Sequence, residues 1–256
     1  MIVNEQARLR AVRATVALLV LVGVGAAVGR TIFPDDMITR AEPVRQWALQ
    51  AWGSTDPFAA TRAAELAFVD GRFAEHPVLT RAHVLFGAAF LLFAPLQFFA
   101  GIRARHIRLH RWSGRVLLPL AAMSVIASFY FGLLIPYGGF AEAIGIGLFG
   151  GLFLVSVARG FVAIRRKQVA IHREWMIRAF AIALSISTVR LLGGPFDVVL
   201  TPTGVPERVV FVITIWTGWI ITVGAAELWI RHTRSNPPLQ GNLRPATPVT
   251  IRDLQA

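Results

Sequence analysis

The chain contains no cysteine, which excludes disulfides, thiolate metal sites and thiol catalysis. Charge is also scarce, because only 16% of the residues are charged against about 25% in a typical soluble domain. The 14 acidic residues are outnumbered by 26 lysines and arginines, which gives a net charge of +12. These basic residues lie at the ends of apolar blocks, so we predict a membrane protein with no nucleic-acid partner. The sequence also lacks a P-loop and a G-x-S-x-G nucleophile elbow.

What the chain has instead is a series of long apolar blocks. Hydrophobic residues make up 55% of it, and the mean hydropathy is +0.59. About 20 apolar residues in helical form cross a hydrocarbon layer of about 30 Å. The blocks predict six transmembrane helices, at about 14–33, 83–102, 116–136, 142–164, 175–194 and 209–230. The expected fold class is therefore all-α, a polytopic membrane helix bundle.

Basic clusters occur at every second predicted membrane boundary. They precede the first block, occupy 103–115 and 165–178, and follow the sixth block. The segment at 34–80 has the opposite balance, with seven acidic residues and four arginines. Because positive residues are retained on the cytoplasmic side, both termini are predicted to be cytoplasmic in a bacterial inner membrane. The first block is too long for a signal-peptide core and is expected to be a retained helix.

This pattern divides the chain into four parts. Residues 1–33 form an N-terminal transmembrane helix, and residues 34–80 form a periplasmic segment. Apolar spacing in that segment predicts two short surface helices, at 44–52 and 59–68, separated by Gly53 and Pro57. Residues 81–232 form a five-helix membrane core, and residues 233–256 form a proline-rich cytoplasmic tail that we expect to be disordered.

Two histidines at the cytoplasmic side are the first candidate functional residues. His110 and His172 each precede a predicted helix. Two neutral imidazoles from different helices are the axial ligands that a low-spin haem requires, so a b-type haem is predicted between them. Arg111 or Arg178 would neutralise its propionates. The two rings could equally anchor a metal ion, relay a proton, or be ordinary polar residues at the interface.

A second polar site is expected near the outer side, at His83 and Arg190. Arg190 lies eighteen residues after His172, which is five helical turns, so the two residues share one helix face. Small residues between them leave room for a ligand or a close neighbour. Arg190 could bind a haem propionate, a quinone or another anion, or it could extend to lipid phosphates.

Glycines in the fourth predicted helix allow a close contact between helices. Gly147 and Gly151 form a GxxxG pattern, which serves packing within the chain or homo-oligomers. Two functions stay open at this point. The chain is either a membrane redox protein, with haem, a quinone and an electron-transfer partner, or a non-redox lipid- or small-molecule-binding protein or accessory subunit.

Four motifs carry a family resemblance. They are HVLFGAAFLLFAPLQ from His83, HRWSGRVLL from His110, HREWMIRAF from His172 and the arginine of STVRLL at Arg190. Through them the chain, from about residue 83 to 230, resembles the bacterial family of predicted membrane proteins catalogued as domain of unknown function 2306. The layout is also similar to that of small cytochrome b proteins of the b-561 type. The four histidines of a two-haem arrangement are not evident, so that similarity implies one haem or none.

Overall fold

The computed structural model describes residues 2–53 and 55–235, with side chains from residue 6 onward. This part of the chain contains nine α-helices and no strand. They are α1 (Ile2–Ile32), α2 (Glu42–Ala51), α3 (Ala59–Ala74), α4 (Pro77–Gln97), α5 (Ala100–Arg105), α6 (Ile107–Phe129), α7 (Gly139–Arg165), α8 (Val169–Leu200) and α9 (Glu207–Ser235). A π-helical turn, Tyr130–Leu134, extends α6.

Six of the described helices are long and apolar enough to cross a membrane. They are α1, α4, α6 with its π-helical turn, α7, α8 and α9. This confirms the predicted all-α bundle with six spans. Large apolar side chains such as Leu21, Leu134 and Phe140 are exposed on its surface, as expected where a bundle contacts lipid.

The helix boundaries differ from the predicted ones because hydropathy marks only the apolar part of each helix. α6 begins at Ile107, so His110 lies inside it and not ahead of it. His172 lies in the first turns of α8 in the same way. Arginine is a good helix former, and the basic segment 103–115 is almost entirely helical. α8 continues through Pro195 to Leu200, and α9 continues to Ser235, beyond which the predicted tail lies outside the described residues.

α8 is the central helix of the bundle, with close contacts to α1, α7 and α9, while α4 and α6 form a second closely packed pair. The core between them is aromatic. Phe90 of α4 contacts Phe153 of α7 and Phe180 of α8, with ring centroids 5.8 and 6.4 Å apart. The buried side chains around α8 thus hold the site-bearing helices in fixed positions.

α1 approaches α4 and α8 at one glycine. A Cβ atom on Gly23 would lie 2.5 Å from Ser187 Oγ and 2.9 Å from Leu91 Cδ1. Both distances are shorter than real Cβ contacts, so no larger residue fits without moving α1.

Residues 33–76, which we call the cap, link α1 to α4 and cover one end of the bundle. We call that the cap end, and the opposite end, where α1 begins and α9 finishes, the terminal end. The two short helices predicted in this segment are present as α2 and α3. They do more than lie on a surface, because their arginines are buried against membrane helices.

A charge cluster fixes the cap to α8 and α9. Arg62 is 3% exposed and contacts Asp56 at 3.0 Å, Asp197 of α8 at 3.2 Å, and Glu207 of α9. Arg45 of α2 reaches Asp197 as well, at 3.3 Å. Two basic and three acidic side chains therefore compensate one another where water is limited.

Two further ion pairs join the cap to α1 and α7. Arg30 of α1 contacts Asp70 at 2.7 Å, and both side chains are almost fully buried. Asp70 also accepts hydrogen bonds from the backbone N–H groups of Ile38 and Thr39. Arg72 donates to the Ile135 carbonyl at 2.8 Å. The cap is thus held to four of the spanning helices, α7 through the contact of Arg72 with Glu142.

Replacing Gly23 by valine should lower the free energy of unfolding by roughly 1–3 kcal/mol, because the added methyl groups collide with Ser187 and Leu91. Gly25→Val is the matched control, since a Cβ at Gly25 meets no atom within 4 Å. Chemical unfolding in detergent measures both variants. Equal effects at the two positions would contradict the close approach of α1.

Arg62→Gln should lower the free energy of unfolding by roughly 3–5 kcal/mol, because it removes the cation of Glu207 and leaves Arg45 alone to compensate the buried Asp56 and Asp197. Arg40→Gln is the control and should show no measurable change, since Arg40 pairs with Asp36 in an exposed position. Unfolding curves in detergent compare the two variants.

The same cluster should lose stability in acid. Burial raises the pKa of Asp56, but hydrogen bonds from Arg45 and the Phe58 N–H, together with the charge of Arg62, more than offset it and hold that pKa below its ordinary value. The contribution of Asp56 is therefore present above about pH 3.9 and is lost as the pH falls below it. If unfolding curves at neutral and acid pH were the same for Arg62→Gln and wild type, the stabilising role of the Arg62 charge cluster would be contradicted.

Candidate functional site

The histidine on α8 at the terminal end is held by its neighbour α7. His172 Nδ1 lies 2.9 Å from the carbonyl oxygen of Gly160. A carbonyl only accepts, so Nδ1 must carry the proton and donate it. A Cβ at Gly160 would lie 2.3 Å from Met176 Cε, so a larger residue would fit there only if the Met176 side chain moved. The arrangement fixes the ring and leaves Nε2 as the free nitrogen, as in most histidines that ligate a metal.

His110 of α6 lies near His172 at the same end. Electrostatic interactions link its ring to His172, Arg103 and Arg111. Its Nδ1 is buried and has no hydrogen-bond partner in the described part of the chain. A buried ring nitrogen without a partner is costly, so the position favours a ligand or metal contact. The backbones of α6 and α8 do not pack closely against each other, so the two histidines interact through their side chains and not through a close helix contact.

The two arginines expected near these histidines are placed differently. Arg178 contacts Glu227 of α9 through two nitrogens, at 2.5 and 3.0 Å, and stacks on Trp175 at 4.7 Å. Its charge is therefore already compensated. Arg111 is exposed at the start of α6 and is the better placed of the two for an added anionic group.

The histidine at the cap end is locked to α6. His83 Nδ1 lies 3.0 Å from the Ser124 carbonyl oxygen, and Ser124 Oγ donates to the His83 carbonyl at 2.7 Å. The acceptor again requires the proton on Nδ1, and Nε2 has no bond to any described residue. His83 and His172 thus share one geometry at opposite ends of the bundle, and α4 pairs with α6 through these two reciprocal bonds.

Arg190 has no counter-ion among the described residues. It lies on α8 about ten residues, or roughly 15 Å, before the end of that helix. Its electrostatic interactions are with His83 and Arg30, and Arg30 is already neutralised by Asp70. The structure therefore brings His83 and Arg190 into one neighbourhood.

Groups of three or more potential metal-ligating side chains are absent from the described residues. A zinc or di-metal centre is not supported there, while a pair of axial histidines is a smaller set and is not covered by that finding. The GxxxG glycines give a separate result. A Cβ at Gly151 would meet nothing within 4 Å, and one at Gly147 only Leu133, so contact between copies stays a prediction.

Sequence reasoning did not single out three residues that shape these sites: Arg30, Gly160 and Asp197. The role of Gly160 is evident only from its neighbour in space, since its carbonyl oxygen contacts His172 of another helix. Arg30 and Asp197 carry charge within or beside apolar blocks, which was a usable signal. Gln97, at the end of α4, donates to Ser113 Oγ of α6 at 2.8 Å.

Comparison with known proteins gives a family and no more. Residues 80–230 match the family of predicted membrane proteins DUF2306, and the chain belongs to that family. The matched region contains all the motifs that carry the resemblance, from His83 to Arg190, and leaves out α1 and the whole cap. No curated protein and no solved structure matches the chain. The protein is therefore a multi-pass integral membrane protein, and the family description states that its members are predicted membrane proteins.

If the role of Arg178 is to pair with Glu227, Arg178→Gln and Glu227→Gln should each lower the free energy of unfolding. The double variant should then lose less than the sum of the two single losses. The expected coupling is roughly 0.5–3 kcal/mol, because either single change leaves one charge without its partner. A double-mutant cycle of unfolding in detergent measures it. Additive losses would instead assign Arg178 a ligand outside the chain.

Proposed function

We propose that this protein is a membrane redox component that binds one b-type haem, with His110 and His172 as its axial ligands. The observation that carries the proposal is the hydrogen bonding of the two imidazole rings. One has Nδ1 bonded to a backbone carbonyl with Nε2 free, and the other has a buried Nδ1 without a partner. Bis-histidine ligation uses two imidazoles from separate helices, and α6 and α8 supply one each.

The charges around these rings support the same proposal. A haem brings two carboxylates, which need cations near the membrane surface. Arg111 and Arg103 interact electrostatically with His110, and neither has a carboxylate partner within the described residues. Arg178 contributes by holding Glu227 and α9 in place. When bound, the haem would supply one-electron transfer, and the protein residues would fix its orientation and its potential.

The proposed orientation places the terminal end in the cytoplasm of a bacterial cell, with the protein in the inner membrane. The basic segments 103–115 and 165–178 lie at the terminal end, as do the starts of α1 and the last turns of α9. Retention of positive residues on the cytoplasmic side then puts the cap on the outer side. The haem would lie close to the cytoplasmic face, where a membrane electron-transfer partner could reach it.

His172→Ala should abolish haem absorbance while the protein stays folded, because it removes one of the two iron ligands. The measurement is an absorbance spectrum of detergent-purified protein from haem-replete cells, oxidised and then reduced with dithionite. Wild type should show a Soret band and sharp reduced α and β bands at near-stoichiometric haem.

His106→Ala is the matched control, since His106 is exposed at the junction of α5 and α6, four residues from His110, and should keep its haem. Reduced bands that persist in His172→Ala protein would overturn the ligand assignment. A wild-type protein without visible absorbance would overturn the haem proposal and leave the non-redox alternative, a lipid- or small-molecule-binding protein or accessory subunit.

A further inference from the structure

Arg190 is a charge within the length of α8 that has no counter-ion among the described residues. Charged residues deep in a membrane bundle pair with one another or with backbone carbonyls, or they mark a binding site. In the described residues Arg30 has Asp70, Arg62 has three carboxylates, and Arg178 has Glu227. Arg190 has neither an ion pair nor a hydrogen bond there, although its side chain lies well inside the helix length of α8.

The neighbourhood of Arg190 carries excess positive charge. Arg30 and Asp70 cancel, and the Nδ1–H of His83 donates to the Ser124 carbonyl, which a neutral ring can do without adding charge. One full positive charge remains, on Arg190. An anion would compensate that charge, whereas a neutral quinone would accept a hydrogen bond and leave the charge in place. The quinone predicted from the sequence is therefore the weaker candidate for this site.

The face of α8 that follows Arg190 is open to its surroundings. Gly193 and Gly194 follow Arg190 by three and four residues, so they lie on the same helix face one turn nearer the cap. A Cβ at either position would meet no atom within 4 Å. The Arg190 side chain is itself exposed on the bundle surface. The opening thus faces the lipid layer at the cap end.

A further polar atom near Arg190 is also unsatisfied. Ser187, one turn before Arg190 on α8, is fully buried, and its Oγ has no hydrogen-bond partner in the described residues. His83 Nε2 is likewise without one, and in its neutral form that nitrogen accepts. The neighbourhood therefore offers one cation and one acceptor, and it suits a ligand that carries both an anionic oxygen and a hydroxyl group.

We propose that Arg190 and His83 form a binding site for the phosphate-bearing headgroup of an acidic amphiphile, entered from the lipid at the cap end. Arg190 binds the phosphate oxygens, and His83 Nε2 accepts from a headgroup hydroxyl. Phosphatidylglycerol has both groups and is the probe of choice. The site is separate from the haem proposal, since it uses other residues at the other end of the bundle.

The first experiment is native mass spectrometry of detergent-purified protein with added phosphatidylglycerol. Wild type should retain one lipid, and Arg190→Gln should lose its occupancy by at least about tenfold, because the ligand then loses its charged partner. Arg40→Gln removes the same charge from an exposed cap position and should bind as wild type does. Equal lipid retention by wild type and Arg190→Gln, or equal loss in Arg40→Gln, would overturn the proposal.

Stability provides a second measurement that does not depend on lipid retention. Without lipid, Arg190→Gln should melt at the same temperature as wild type or above it, because an uncompensated charge has been removed. Saturating phosphatidylglycerol should raise the melting temperature of wild type and not that of Arg190→Gln. A lipid-free Arg190→Gln protein that melts far below wild type would show a structural role for Arg190 and overturn the proposal.

Further measurements identify the source of the phosphate and distinguish this proposal from the haem proposal. Inorganic phosphate that raises the melting temperature of wild type alone would assign the same site to a soluble anion. A neutral quinone that displaces the lipid and binds Arg190→Gln equally well would overturn the anion assignment. Lipid binding by His172→Ala should match wild type, so the two proposals can fail independently.

Discussion

The low dielectric of the bilayer is the constraint on which the rest of this structure depends. A charge inside the bundle must be compensated, because water cannot reach it and its transfer from water costs several kcal/mol. The ion pairs of Arg30 and Arg178 meet that requirement by crossing between elements: Arg30 reaches the cap, and Arg178 joins α8 to α9. The ion pairs therefore act as specific contacts between helices that apolar packing alone would leave free to slide.

The two ends of the bundle each contain a histidine that is held by the same type of hydrogen bond. His83 and His172 each give the Nδ1 proton to a carbonyl on a neighbouring helix, which settles ring orientation and leaves Nε2 available. At the terminal end a second histidine lies nearby, and at the cap end a cation does. The same hydrogen-bond geometry therefore occurs at both sites that we propose, with haem at one end and an acidic headgroup at the other.

Much of this fold could be predicted from the sequence, since length and hydropathy determine the spans and Gly53 and Pro57 separate the two cap helices. His83 and Arg190 were assigned to one site by their shared side of the membrane, and the structure brings them together. The partners of Arg62 could not be predicted, because Asp197 and Glu207 lie more than 130 residues away along the chain. Helical spacing relates residues within one helix and carries no information about which helix packs against it.

The cap contacts also have a consequence for the order of biogenesis. Arg62 emerges 135 residues before Asp197 and 145 before Glu207. At about 5–20 residues per second, its partners are synthesised roughly 7–29 s after it. During that interval the cap can form its ion pair with α1, but it cannot be joined to α8 and α9, because they do not yet exist. Closure of this end must therefore be one of the last events of folding, completed only when the sixth span is in the membrane.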